Sequence, residues 1–155
     1  MSDDARALTD LLDGQRTAML VTADQRARPM TILEVDGDRL WFLTTADAAW
    51  LQDLPEHEIV NVSVVDREDA RYVSLTGRAA TTTEAAVRER LWSPAMHAWF
   101  GGSDDPDLVA LSVDVSDGEY WDGPDSGVGR TLRLAAAAVT GAGAKVMGAR
   151  GDVAT

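Results

Sequence analysis

The chain has 155 residues, 45% of them apolar and 26% charged, which is the composition of a folded globular domain and excludes disorder along most of the length. It holds no cysteine, so disulfides, thiol catalysis and zinc–thiolate sites are excluded, and no apolar run reaches the length of a membrane helix. The net charge of -12, from 26 acidic against 14 basic residues, repels phosphate backbones and argues against nucleic-acid binding through a broad basic face.

The opening residues, Met1-Ser2-Asp3-Asp4, are acidic and lack the basic-then-apolar build of a signal peptide. With the missing cysteines this leads to the expectation of a cytoplasmic protein. Ala5, Leu8, Leu11 and Leu12 recur at helical spacing, so residues 3–13 are expected to form an amphipathic helix that stops near Gly14. Thr17 to Thr22 is a short apolar run and reads as a buried strand, with a turn at Asp24 to Arg26. Met30 to Val35 reads as the second strand and Leu40 to Thr44 as the third. Between them, Asp36-Gly37-Asp38 suits the positive φ of a tight hairpin turn.

Asp47 to Leu54 is expected as a short helix ended by Pro55. Glu58 to Val65 and Tyr72 to Thr82 are β-branched and read as the fourth and fifth strands, with Gly77 marking a bulge or a close backbone approach. Thr83-Glu84 caps a helix running to Trp92, and Ser93-Pro94 begins another that carries Trp99 and Phe100. After the polar loop Gly101 to Pro106, Leu108 to Trp121 alternates as a long last strand. Six strands with connections too short for parallel crossovers predict an antiparallel sheet, and a small sheet closes into a barrel to remove its edges.

The body, residues 1–125, holds all but one of the acidic residues. Residues 126–155 carry Arg130, Arg133, Lys145 and Arg150 against Asp152 alone. That segment is expected to form an alanine-rich helix over Arg130 to Thr140 and then an irregular Gly/Ala tail. Its basic charge predicts packing on the acidic body or on a second copy. Lys145 is the single lysine, so an anion site in the body must use arginine or backbone N–H groups.

Several motifs fail on inspection. His57-Glu58-Ile59-Val60-Asn61 begins like a zinc-protease signature but ends in asparagine, and two histidines without cysteine make a poor transition-metal set. Gly141-Ala142-Gly143 is followed by Val146 where a dinucleotide fingerprint needs glycine. Asp104-Asp105-Pro106-Asp107 lacks calcium-loop spacing. More informative are the five tryptophans, of which one or two could form a flat wall for an aromatic ring while the rest serve core and subunit contacts. Arg28 lies two strand positions before Met30 and shares its face, and Thr44-Thr45 ends the third strand with two hydroxyls.

Residues 17–45, with Arg28-Pro29-Met30 and Leu40-Trp41-Phe42-Leu43-Thr44-Thr45, resemble the first three strands of the pyridoxamine-phosphate-oxidase-like flavin-binding split barrels. Residues 71–124 resemble the general-stress-protein branch of that family, through Arg71 to Gly77, Leu91-Trp92-Ser93-Pro94, Ala98-Trp99-Phe100, Asp104 to Leu108 and Glu119 to Pro124; Ala138-Val139-Thr140-Gly141 also fits. The resemblance implies a six-stranded antiparallel split β-barrel (Greek key) with short flanking helices, spanning residues 1–125, with residues 126–155 packed on it or on a partner. It further implies a homodimer with FMN in a groove between the subunits; FAD or no cofactor are the alternatives, and a deazaflavin or haem ranks below these. Carried over by position, Arg28 reaches the flavin phosphate or ring edge. Met30, Leu43, Thr44 and Thr45 line the ring, Trp50 lies at the phosphate end, and Trp99 and Trp121 come from the partner.

The chain departs from that pattern at Asp47-Ala48-Ala49-Trp50, where related flavin binders place a polar residue and a cation for the phosphate. A charge-assisted contact contributes about 1.5–3 kcal/mol, so losing one or two weakens binding about tenfold to several thousandfold. The cofactor then binds weakly, lies differently, or is not held. The arginine–leucine segment that binds substrate in pyridoxamine-phosphate oxidase has no clear equivalent, so that activity is not expected. Two functions remain: a flavin-dependent redox protein of the general-stress type, or a non-catalytic barrel that has lost tight phosphate binding.

Overall fold

The computed structural model describes residues 6–12, 14, 16–122 and 149–154. In chain order these form β1 (Arg6–Ala7), α1 (Leu8–Leu11), β2 (Thr17–Val21), β3 (Ala27–Thr31), β4 (Glu34–Asp36), β5 (Arg39–Thr45), a 3-10 helix (Ala49–Asp53), β6 (Ile59–Asp66), β7 (Arg71–Thr82), α2 (Ala85–Leu91), a second 3-10 helix (Pro94–Ala98), β8 (Leu108–Asp122) and β9 (Ala149–Ala154).

The architecture is the expected antiparallel split barrel. β2 pairs with β6, β6 with β7, β7 with β8 and β8 with β5. The expected second strand, Met30 to Val35, is two strands instead. β3 pairs with β2 and β4 pairs with β5. Between them the Ile32 N–H donates to the Arg16 carbonyl (2.6 Å) and the next N–H, of Leu33, donates to the Trp41 carbonyl (2.9 Å). The chain therefore changes partner within two residues, and this step completes a ring of six strand positions. Sequence periodicity does not reveal it, because both halves are extended and apolar.

β8 carries the ring. Its first half lies between β5 and β7, and its last four residues lie between β7 and β9. The register slips between Thr76 and Gly77, the bulge that the glycine predicts. Gly77 is also a close approach: a Cβ there would sit 2.6 Å from the Asp114 carbonyl oxygen and 2.7 Å from Val113 Cγ1.

Alternate residues of β2, β5, β6, β7 and β8 fill the interior, among them Leu20, Phe42, Val62, Val64, Leu75, Leu111 and Val113, and α1 closes one end with Leu8, Leu11 and Leu12. α1 spans one turn rather than the expected residues 3–13, with Arg6–Ala7 extended as β1 and Gly14 in the left-handed region at φ 75°. The short helix expected after β5 is a 3-10 helix. At α2 no side chain of Thr83 or Glu84 caps the helix; the Thr82 hydroxyl accepts from the Glu84 N–H instead. The expected helix over Arg130 to Thr140 lies outside the described residues. Ala149–Ala154, expected to be irregular, forms β9 on the free edge of β8, which offers unpaired N–H and C=O groups.

Gly77→Ala should destabilise the protein by about 1–3 kcal/mol, because the contacting atom is backbone and cannot swing aside. Thermal unfolding followed by circular dichroism should show a midpoint about 3–10 °C lower. Gly101→Ala, where the nearest atom to a new Cβ is 3.7 Å away, should stay within about 0.5 kcal/mol.

Candidate functional site

On the outer face of β5 and β8, Trp41 and Ala110 pack with Leu91 of α2 into a second small cluster, joined by Leu33, Leu43 and Val87. Two guanidinium groups lie over the Trp41 ring, with Arg39 Cζ 5.7 Å and Arg90 Cζ 5.3 Å from its centroid. Those arginines are themselves fixed, Arg39 by Asp114 (2.6 Å) and Arg90 by Glu34 (2.9 Å). The cluster makes a firm base under Leu33 and Leu43, whose remaining surface faces outward.

Above that base lies a groove of about 320 Å³ lined by Pro29, Met30 and Thr31 from β3, Leu33, Leu43 to Thr45 from β5, and Met96, Trp99 and Phe100. The last three come from the second 3-10 helix and its end. Pro94 at the first helical position starts that turn, and the Trp92 ring meets the His97 ring edge-on at 5.1 Å. Beyond it, Asp105 ties the loop: Oδ2 accepts from the Gly101 N–H (2.9 Å) and Oδ1 from the Asp107 N–H (2.9 Å). These backbone donors hold the Asp105 carboxyl below the usual carboxylate range. Arg88 of α2 donates to the Asp105 carbonyl (2.9 Å), so helix and loop move together. Trp99 is 77% exposed, an unusual state for a large ring and one that a bound planar molecule would relieve.

Of the residues singled out from the sequence, Met30, Leu43, Thr44, Thr45 and Trp99 therefore meet in one groove. Trp99 lines the groove of its own chain. None of the lining residues carries a charge. The Thr45 hydroxyl donates to Asp47 Oδ1 (2.5 Å), and Thr31 and Thr44 add two further hydroxyls to the lining.

Arg28 and Trp50 sit together beyond the β3 end of this groove. Arg28 shares the face of Met30, about 7 Å along the strand. Its Nη2 donates to Asp24 Oδ2 (2.9 Å), its Nη1 donates to Thr22 Oγ1 (2.5 Å), and its Cζ lies 5.1 Å from the centroid of the Trp50 ring. Asp24 also accepts from the Thr22 hydroxyl (2.6 Å) and the Arg26 N–H (3.1 Å). The Arg28 guanidinium first, then these two donors, hold the Asp24 carboxyl far below the usual carboxylate range. Trp50, Asp24, Asp53 and His57 edge a recess of about 350 Å³.

Trp121 does not line the groove of its own chain. It lies near the far end of β8, opposite Tyr72, about 40 Å along the strand from the Thr44–Val109 pair. Sequence reading also missed Met96, Phe100, Leu33 and the Asp24 partner of Arg28. Met96, Trp99 and Phe100 stand at helical spacing after Pro94, and Asp24 precedes Arg28 by four residues across a tight turn, so both signals were present.

A profile of the family described as "Pyridoxamine 5'-phosphate oxidase like" matches residues 3–144. General stress protein 26 of Bacillus subtilis is 28% identical over 122 residues, covering 74% of this chain and 86% of that protein. Among solved structures, the general stress FMN/FAD binding protein of Xanthomonas citri is 32% identical, with 75% of this chain and 86% of the other covered and a TM-score of 0.67. A general stress protein 26 from Jannaschia sp. CCS1 is 25% identical, with 94% of each chain covered and a TM-score of 0.71. The chain belongs to the pyridoxamine 5'-phosphate oxidase-like family and is related within it to general stress protein 26.

Proposed function

We propose that the protein binds a flavin ring in the groove between β3, β5 and the Met96–Phe100 turn, and that it works as a homodimer of the general-stress type. The convergence of Met30, Leu43, Thr44 and Trp99 on one uncharged groove carries this reading. A ring of that kind needs apolar walls, an exposed aromatic plane to stack on, and a hydroxyl or two at its polar rim. The size suits a small planar ligand, since such pockets begin at about 300 Å³. The FMN/FAD-binding relative from Xanthomonas citri supports the choice of ligand. When bound, the flavin would supply the electron chemistry. The chain supplies shape, stacking and exclusion of water, and no titratable side chain lines the groove to move a proton.

The second subunit has a matching surface. Met19, Ile59 and Val65 are exposed at 38%, 54% and 55%, all on the outer face of β2 and β6. Register places Val65, Tyr72 and Trp121 in one row across β6, β7 and β8 on that same face. β2 pairs with β3, so a copy seated on this face borders the groove, and its Trp121 enters the seam as a contribution from the partner. Apolar surface spread over one sheet face in this way marks an interaction site.

Titration of the purified protein with FMN should quench flavin fluorescence. Trp99→Ala should weaken uptake about tenfold or more, with the thermal midpoint unchanged because the ring is exposed. Wild-type protein that leaves flavin fluorescence unaltered would remove the flavin assignment. Val65→Glu with Ile59→Glu should yield monomers in sedimentation equilibrium, where the wild-type protein is dimeric. Doubly substituted protein that sediments as a dimer places the seam elsewhere.

A further inference from the structure

The groove has no charged lining residue, and the nearest described cation on the same strand face is already occupied. Arg28 is held from three sides. Asp24 balances its charge, Thr22 accepts from its other terminal nitrogen, and the Trp50 ring covers its plane. Thr22 is buried, and it bridges the pair by donating to Asp24 while accepting from Arg28. The turn that carries Asp24 is fixed in its own right: Gln25 takes φ 66°, its N–H donates to the Thr22 carbonyl (2.8 Å), and the Arg26 N–H donates to Asp24. The partner of Arg28 is therefore built into the β2–β3 turn and is not a passing surface contact.

A phosphate ester arriving beside Arg28 would meet the carboxylate of Asp24, which already holds that guanidinium, and the carboxylate of Asp53 at the same recess. To reach the phosphate, that guanidinium must leave a carboxylate and an aromatic face. An anion gains little from a cation whose charge is already balanced, and the neighbouring carboxylates oppose it. The ring-binding part of the groove, by contrast, is apolar and intact.

We propose that Asp24 is a specificity-determining residue: by pairing with Arg28 it withholds the cation from the groove, so that the site selects a flavin by its ring and takes up riboflavin about as readily as FMN. This rests on the flavin reading given above. The ligand class is thus a flavin with or without a terminal phosphate, and Asp24 sets the discrimination between the two.

The test is a pair of fluorescence titrations, riboflavin and FMN, on full-length wild-type protein and on Asp24→Asn. Asparagine keeps the oxygen that accepts from Arg26 and removes the charge, and Asp24 is exposed, so the turn should persist; unfolding midpoints of the two proteins check this. Wild-type dissociation constants for the two flavins should differ by less than tenfold. In Asp24→Asn, FMN should bind about tenfold tighter than in the wild type, with riboflavin unchanged. Arg28→Ala in the wild-type background, as a second variant, should leave the ratio of the two constants unaltered. Wild-type protein that prefers FMN by tenfold or more overturns the inference while the flavin reading stands. So does an Asp24→Asn protein whose two constants move together or not at all. Protein that binds neither flavin overturns both.

Discussion

The two-edged pairing of β8 is the constraint from which the remaining geometry follows. Fifteen consecutive residues hold β5 and then β9 on one edge and β7 on the other. A strand this long cannot stay flat, since twist accumulates residue by residue, and the bulge at Thr76/Gly77 takes up the mismatch. Gly77 allows it because the partner backbone at Asp114 passes where a side chain would stand. The register set here brings Leu43 to Thr45 opposite Leu108 to Ala110, with Leu43 and Ala110 on the face that α2 supports. It also sends Trp121 to the other end of the same strand. One strand thus carries the base of the groove at its start and, at its finish, the tryptophan proposed for the partner's seam.

Charge is distributed in keeping with this layout. Four described arginines, Arg28, Arg39, Arg78 and Arg90, each have a carboxylate within salt-bridge distance. With nearly twice as many acidic as basic residues, such pairing is the expected state of a guanidinium on this surface. Exposed pairs of this kind contribute about 0–1 kcal/mol to stability. Their larger consequence is for binding, because an arginine must release its partner before it can serve an incoming anion. Against that background, the groove stands apart in having no charged lining residue.

Much of the barrel was legible because strand signals here are local. Alternation over Glu58 to Val65 and Leu108 to Trp121, the Asp36-Gly37 turn with Gly37 at φ 59°, and the glycine at the bulge all act within a few residues. The change of partner at Ile32 and Leu33 was not legible, since it depends on which strand lies within reach and leaves no periodic trace. The one-turn α1 failed for a related reason: apolar residues at helical spacing can be buried by an extended entry as well as by a helix. At the site, five of the eight residues chosen from the sequence line the groove, because they follow one another on β3 and β5 or flank a proline-started turn. The role of Arg28 was harder to read. Sequence gives a cation on the face of Met30 but not its partner, and a carboxylate four residues earlier becomes a partner only when the turn folds back.

Trp50 and Asp24 act as two halves of one device. A cation at position 50 would repel Arg28 and compete for Asp24, leaving positive charge facing the groove. A tryptophan there does the reverse. Its ring offers Arg28 a plane to lie on, at 5.1 Å, and it packs against the core side of the same wall. With the ring in place, the guanidinium has an aromatic surface behind it and a carboxylate in front, and the geometry that would present it to a phosphate is the less stable one. The absence of a cation at position 50 and the capture of the remaining one by Asp24 are therefore coupled. The same coupling explains how the apolar half of the groove stays complete while its charged end is closed off.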